Sequence, residues 1–453
     1  MNKGRIAAVI LLFLCSVYQS FAQYSPFNVP DSSEIRKELV NSWFTRDYSE
    51  LLAEKPFISQ NLLGEKFQVS IEDAGNEFAV IVAPASEIAL EVHTDDRIEM
   101  GTSDIFSYDS PGSWILYRNK EDGKPERIQY FFQSDADVYI TIRPDGSKSL
   151  ADIHLFNTYP VYGVNLGFPL EYFYTASFDK LYKLTSNLLP WNYFTLEEGM
   201  YGANLQMIGV IRENLGGLSY EPDTALDHEG LPVSISSGER KNPENNDTLN
   251  VDTAGFAKWV VDGLVYAQTG SFLNLDPLKR ESVQIQTGTM AQSVLEKYNI
   301  YFALDWIRNL AAAFASVFSG RDIPYEKTGS EVTIKPFAAV QTDRGVERYD
   351  AYISGTGYNT ITLKSLMYVL AVTEPARMYL GAVRQSDRKS PEVVYYNEVA
   401  VFFPFFDDEG AFHCIVYEGP RELTIEEFTK EWENSFISLV RLKTSKRFFP
   451  QQK

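Results

Sequence analysis

Val251-Asp252-Thr253-Ala254-Gly255-Phe256-Ala257-Lys258-Trp259-Val260 runs out of a polar loop and into a helix. Asp252 can accept from the backbone N–H groups that a helix start leaves open, which makes it the expected N-cap. Phe256, Val260 and Leu264 then recur at helical spacing and give that helix its apolar face. Upstream lie Gly230-Leu231-Pro232, Gly238 and the polar run Asn242-Pro243-Glu244-Asn245-Asn246-Asp247, and before them Leu196 to Leu215 reads as a helix closed by Gly216-Gly217. Downstream, Tyr298 to Phe318 carries Ile300, Leu304, Ile307, Leu310, Phe314 and Val317 on one stripe. Asp305 and Arg308 interrupt its other side, so it reads as a buried amphipathic helix and not as a membrane span. Glu398 to Pro404 and Ala411 to Tyr417 are apolar strands joined by Asp407-Asp408-Glu409-Gly410, a hairpin with suitable turn residues. Thr424-Ile425-Glu426-Glu427 is a capping box opening a last helix, Thr424 to Glu433.

The N-terminal half has a different period. Ser32 and Ser33 can cap a helix through Glu34 to Trp43, and a second short helix is expected over Tyr48 to Glu54, giving a helical segment over residues 23–64. From residue 65 the apolar residues alternate, as in Phe67, Val69 and Ile71, then Phe78, Val80 and Val82, then Ile88, Leu90 and Val92. Further strands are expected at Trp114 to Tyr117, Arg127 to Phe132 and Val138 to Ile142, with hairpin turns at Asp122-Gly123 and Pro144-Asp145-Gly146. That spacing predicts an antiparallel β-rich module over 65–155, built as a sandwich or half-barrel. Residues 156–194 are crowded with rings, including Tyr159, Tyr172, Phe173, Phe178, Trp191 and Phe194. Rings bury much area for little rotamer entropy, so this tract is expected to pack a junction between domains.

At the extreme N-terminus, Lys3 and Arg5 precede the apolar run Ile6 to Leu14, and Ser20-Phe21-Ala22 offers small residues for a peptidase. Residues 1–22 therefore read as a cleaved secretory signal, and the mature chain is expected to be exported, to a periplasm or beyond. Lipidation at Cys15 is not expected, because bulky Leu14 precedes it. Loss of two basic residues with the signal moves the net charge from −20 to −22. A chain this acidic has no broad basic surface for nucleic acid. Only Cys414 would remain of two cysteines, which excludes an internal disulfide and any zinc site built on CxxC.

The common catalytic signatures are missing: no GxSxG, HExxH, phosphate-binding GxxxxGK[ST] or dinucleotide-binding GxGxxG occurs. His93, His154, His228 and His413 lack ligand spacing, and neither a metal nor a cofactor is expected. Cys414 and His413 are strand neighbours facing opposite ways, so they cannot form a thiol–imidazole pair, and Cys414 reads as a packing residue.

The segment from Gly230-Leu231-Pro232 through Asp252-Thr253-Ala254-Gly255-Phe256 resembles the NlpC family of papain-like cell-wall peptidases. Its members carry Gly-x-Pro-Tyr, a glycine-containing loop, then Asp-Cys-Ser-Gly-Phe opening a helix. A histidine later begins a strand of the form His-Val-Gly-Ile-Tyr, and a third polar residue follows on the next strand. Asp252, Gly255 and Phe256 match; Val399-Ala400-Val401-Phe402 is similar to the histidine's strand and Phe412-His413-Cys414-Ile415 to its neighbour. The resemblance implies a papain-like α+β domain over 195–442 with an insertion at about 265–391. It also implies three site positions: Thr253 for the cysteine, Glu398 (or Asn397) for the base histidine, and His413 for the third residue. Ala254 replaces the usual serine.

The substitutions remove the chemistry. The family's reaction needs a thiolate, formed where a helix N-terminus and an imidazole depress a thiol's pKa. A threonine hydroxyl titrates far higher, and threonine nucleophiles use their own α-amino group, which internal Thr253 lacks. The expectation is an exported α+β envelope protein with a β-rich module and a degenerate NlpC-like domain. Such a domain would bind a peptidoglycan peptide or another envelope protein and would not be an enzyme. The alternatives are a cell-wall hydrolase in which Glu398 or Asp252 activates water, and a purely structural envelope protein.

Overall fold

The computed structural model of the protein describes residues 28–94, 97–197, 199–242, 247–282, 300–386 and 394–452. The leader at 1–22, Cys15 included, and residues 243–246 of the polar run lie outside them. The chain is α+β, with helices and antiparallel sheets. It divides into two compact units, one of residues 1–132, 141–150 and 165–195, the other of 133–140, 151–164 and 196–453.

In the first unit, helices α1 (Ser33–Leu39) and α2 (Tyr48–Leu51) precede strands β1 (Phe57–Gln60), β2 (Lys66–Ala74), β3 (Glu77–Pro84), β4 (Ser86–Thr94), β5 (Arg97–Ile105), β6 (Trp114–Asn119) and β7 (Pro125–Phe131). The alternating pattern folds as expected, but into one antiparallel meander, β1-β2-β3-β6-β7, with β4 and β5 as a separate hairpin. This is the antiparallel β-rich part that the alternation predicts, made from one sheet and not from the two sheets of the sandwich alternative. Rings and helices, not a second sheet, provide the packing: Phe44 meets Trp114 at 5.1 Å, and Phe132 meets Phe178 and Trp191 at 5.1 and 5.4 Å. β1 is a correction, since it lies in the segment read as helical. Phe57 and Ile58 pair with Val69 and Gln68, and cross-strand pairing outweighs local propensity there.

The aromatic tract is likewise reassigned. From Phe168 to Phe194 it belongs to the first unit, where α3 (Phe178–Thr185) caps on Ser177. Arg36, fully buried on α1, holds that tract in place. Its guanidinium donates to the Tyr174 and Ala176 carbonyls at 2.9 Å each, pairs with Asp31 at 3.3 Å, and lies 5.1 Å over the Trp114 ring. Strands β8 (Val138–Asp145), β9 (Lys148–Leu155) and β10 (Thr158–Asn165) contribute residues to both units, so 65–155 is not a self-contained module.

The second unit starts its long stretch at Leu196, one residue from the expected boundary. Helix α4 (Gly202–Leu215) leads to the short strands β11 (Leu218–Tyr220), β12 (Thr224–Leu226), β13 (Pro232–Ser234) and β14 (Leu249–Val251). β11 and β14 pair in parallel, while β12 and β13 form an antiparallel hairpin. Helices α5 (Thr253–Thr269) and α6 (Phe302–Ser319) follow, then β15 (Ala339–Thr342), which pairs with β10 and β16 (Gly345–Arg348).

The main sheet comprises β17 (Tyr358–Asn359), β18 (Arg377–Ser386), β19 (Val394–Phe406), β20 (Phe412–Tyr417), β21 (Glu422–Thr424) and β22 (Phe436–Lys443). Its order is β17-β22-β18-β19-β20-β21, antiparallel throughout. Two further helices, α7 (Leu363–Thr373) and α8 (Ile425–Glu431), complete the unit, and α8 opens with the expected capping box on Thr424.

Both sheet faces are covered. Met378, Leu380, Val399, Val401, Phe403 and Val440 pack with the apolar sides of α4, α5 and α6. On the other face Phe402 meets Phe428 of α8 at 5.1 Å, and Phe406 meets Tyr368 of α7 at 5.0 Å. Because β18 lies between β22 and β19 and α6 packs in the same core, residues 265–391 supply a central strand and a core helix. They are not an appended insertion. No helix among the described residues is long and apolar enough to cross a membrane.

Two details fix α5. Lys258 and Asp262, both buried, pair at 2.5 Å, and Asp262 also accepts from the Leu273 N–H at 2.8 Å, so neither charge is left unsatisfied. The C-terminal stretch then lies along the helix: Phe449 N–H donates to the Gly263 carbonyl at 2.9 Å, Trp259 Nε1 to the Gln451 carbonyl at 2.8 Å, and Gln451 Nε2 to the Gly230 carbonyl at 2.8 Å.

Cys414 is buried on β20 opposite Pro404, and burial pushes its thiol pKa well up, as a packing residue requires. Cys414→Ser is expected to cost about 1–2 kcal/mol for a hydroxyl in an apolar setting and to leave ligand binding unchanged. Denaturant melts run beside a binding titration check both halves.

Candidate functional site

The start of α5 is built by three neighbours. Asp252 caps it as expected, its carboxylate accepting from the Gly255 N–H at 2.7 Å, while its own N–H donates to the Thr224 carbonyl at 2.8 Å. The β12–β13 hairpin turns at Asp227–Leu231, so Gly230-Leu231-Pro232 shapes the strand pair that lies against this helix start. From the other side Trp306 of α6 donates through Nε1 to the Ala254 carbonyl at 2.8 Å. Gly255 is required by packing. A Cβ built there would fall 2.2 Å from the Thr224 oxygen and 3.0 Å from the Ala225 Cα.

Thr253, on the first turn, and Glu398, near the start of β19, come together. Thr253 Oγ1 donates to Glu398 Oε2 at 3.1 Å. Simple alternation would not have produced this contact, because Val399, Val401 and Phe403 are the residues that face the α5 side. A bulge intervenes: Val383 pairs with Glu398 but Arg384 pairs with Tyr396, leaving Asn397 as the extra residue. The bulge lies directly beside Glu398, and bulges bend the strand and re-aim adjacent side chains.

His413 does not join them, which corrects its assignment as the third site residue. It pairs across the hairpin with Phe405, seven residues from Glu398, about 23 Å away at ~3.3 Å per residue. It is exposed there, with Nε2 on Asp407 Oδ2 at 2.7 Å. The reason is antiparallel register: the start of β19 is adjacent to the end of β20, not to its beginning.

What lies beside Glu398 is the turn after β20. A cleft of about 520 Å³ is lined by Tyr220, Thr253, Glu398, Glu418, Arg421 and Trp432, with Pro420 and Glu431. Arg421 pairs with Glu418 and, at 2.8 Å, with Glu431; Trp432 Nε1 donates to Glu418 Oε1 at 2.9 Å. Gly419 lies close over Thr253 and Tyr220, a Cβ there being 3.7 Å from each. Glu418, Arg421, Glu431, Trp432 and Tyr220 escaped the sequence reading. The Asp407–Gly410 turn could have pointed to the first two, since reflecting Glu398 through it lands at residues 418–421.

Burial dominates the acid–base character. It raises the pKa of Glu398, against the Thr253 hydrogen bond, and the charges of Glu418 and Glu431 push the same way. Glu418 is also raised by burial, despite Arg421. Asp252 is pushed up to about 7, by burial first and then by Asp223 and Glu398, against the hydrogen bonds involving Gly255 and Thr224. A hydroxyl beside a carboxylate can hold a donor or a cation. The cleft is lined by neither a thiol nor an imidazole.

The fold and site together define an α+β protein with a hydroxyl–carboxylate cleft at a helix start. Residues 25–193 match a family described as "Domain of unknown function (DUF8515)", and that match ends two residues before the first unit does, at Thr195. No curated protein and no solved structure matches the chain.

Proposed function

We propose that the second unit is a papain-like domain of the NlpC type that has lost the peptidase reaction, carried by an exported envelope protein. Its Thr253–Glu398 cleft would hold a cell-wall peptide, or the chain end of a partner protein, without cutting it. The observation behind this reading is the 3.1 Å contact between Thr253 at the start of α5 and Glu398 at the start of β19. These are the two positions that the resemblance gives to cysteine and histidine. Glu418 lines the same cleft as a further polar group, where the resemblance expected His413. The basic, apolar and small-residue segments of the leader at 1–22 support export.

Incubation with purified cell wall tests the proposal. The protein should be retained on the wall and should release no peptide or amine. Hydrolysis by the unaltered chain that disappears in Thr253→Ala would sink the non-catalytic reading. Thr253→Ala itself is expected to change stability by no more than about 1 kcal/mol, the scale of one hydrogen bond.

Restoring the family's residues gives a second check. The double substitution Thr253→Cys with Glu398→His places a thiol and an imidazole at hydrogen-bonding distance on a helix start, where both dipole and imidazole favour thiolate. Its alkylation by iodoacetamide is expected to be at least tenfold faster than that of Thr253→Cys alone, about one unit of thiol pKa. Equal rates would mean that the cleft does not have the family's geometry.

A further inference from the structure

We propose that the cleft takes its ligand through a cationic nitrogen, a primary ammonium or a guanidinium at the end of a flexible chain. This rests on the reading of the cleft as a ligand site and specifies what it recognises. Its lining carries three carboxylates, Glu398, Glu418 and Glu431, and one cation, Arg421, which leaves two negative charges in excess.

The single cation is already engaged, because Arg421 bridges Glu418 and Glu431. An anionic ligand would have to displace one of those pairs. The helix start does not reverse the balance, since the positive end of α5 already faces two carboxylates, the Asp252 cap and Glu398. Glu398 differs from Glu418 and Glu431 in not being paired with Arg421, and the Thr253 hydroxyl approaches its Oε2. A carboxylate offers about four acceptor positions, so Glu398 keeps room for a charged N–H donor, whose bond is roughly twice as strong as a neutral one.

The walls add an independent preference. Tyr220, 59% exposed, and Trp432 line the same cleft. Ring faces attract ammonium and guanidinium groups and not carboxylates, Trp most of all. Gly419 lies over Thr253 and Tyr220 and brings no side chain of its own into the cleft.

The test compares two probes by calorimetric titration of the whole protein. One is Ala-Lys-Ala amide with its α-amine acetylated, carrying one positive charge; the other has the lysine side chain acetylated as well. The charged peptide is expected to bind at least tenfold more tightly, and Glu398→Gln to weaken it about tenfold. Glu121→Gln, on an exposed turn of the first unit, should leave it unchanged. Equal affinity for the two peptides would overturn the proposal. So would a loss of charged-peptide binding in Glu121→Gln as large as in Glu398→Gln, which would report only the acidic surface. If both peptides bind equally and Trp432→Ala abolishes both, the cation preference fails while the cleft remains a ligand site. If neither peptide binds and the cell wall is not retained, both readings fail.

Discussion

Gly255→Ala is expected to destabilise the second unit by about 3 kcal/mol, the upper range for overpacking in a tight site. A helix interior normally gains from this change, because alanine is the better helix former by roughly 1 kcal/mol. Here the new methyl would meet the Thr224 oxygen at 2.2 Å and the Ala225 Cα at 3.0 Å, and both belong to backbone. A flexible side chain could swing away; the strand β12 cannot, because it is paired with β13 and its Thr224 carbonyl accepts from Asp252. Relief therefore needs the helix start to move away from β12, which would also pull Thr253 from Glu398. Gly209→Ala in α4, where nothing lies within 4 Å of the added Cβ, serves as the opposite control and should be neutral or slightly stabilising. Urea melts of the two variants settle the matter: equal midpoints would mean that the close approach at Gly255 carries no weight.

Asp252→Asn should reverse part of the protein's pH dependence. Asp252 has a pKa raised from its ordinary value of 3.8 to about 7, chiefly by burial. Between those values the folded chain holds a proton that the unfolded chain has released, so the wild-type contribution to stability falls as pH rises through about 4 to 7. Below the window both states are protonated and the penalty vanishes. Asparagine keeps an oxygen to accept from Gly255 and is a good N-cap, but cannot ionise. Moving from about pH 4 to pH 8 should therefore shift the variant's stability relative to wild type by on the order of 2–4 kcal/mol in the variant's favour. Glu398, also raised by burial, adds a slope of the same sign to both proteins, and its coupling to Asp252 is part of the difference between them. Parallel stability–pH curves for the two proteins would sink the assignment.

The elements that could be read from sequence are those whose signals are local. Asp252 as cap, α5 itself, the β19–β20 hairpin with its Asp407–Gly410 turn, and the box at Thr424 all follow from residues within a few positions of one another. What depended on pairing between distant residues was misjudged. His413 follows from the resemblance, which puts a third polar residue on the next strand, whereas antiparallel register carries the end of β20 toward the start of β19. The meander of the first unit resembles a sandwich when only strand spacing is seen, since spacing does not say whether a second sheet or a layer of rings covers the apolar face. β18 was hidden in a presumed insertion, although Met378-Tyr379-Leu380 and Ala382-Val383 form an apolar run typical of a strand buried on both faces. Thr253 does contact Glu398, and the register shift at Asn397 beside that contact was not legible. The raised pKa of Asp252 was also illegible, because it arises chiefly from burial in the folded unit and not from neighbours in the chain.

The position of β22 has a consequence for how the protein is made. This strand, Phe436–Lys443, lies inside the main sheet between β17 and β18, and every other strand of that sheet precedes it in the chain. While the ribosome is still adding residues short of about 443, β17 has no partner in the sheet and β18 exposes a bare edge of unpaired backbone groups. The residues that cover α5, Phe448 to Gln451, arrive later still. The core of this unit therefore closes only once nearly all of the chain described here is available, and its folding is dominated by contacts of long sequence separation, the slow kind. A nascent chain stalled before β22 carries an open sheet edge that can pair with a neighbour, whereas a finished one has it sealed from within. For this unit the segment from β22 to Gln451 works as the keystone of the main sheet and of the cover on α5.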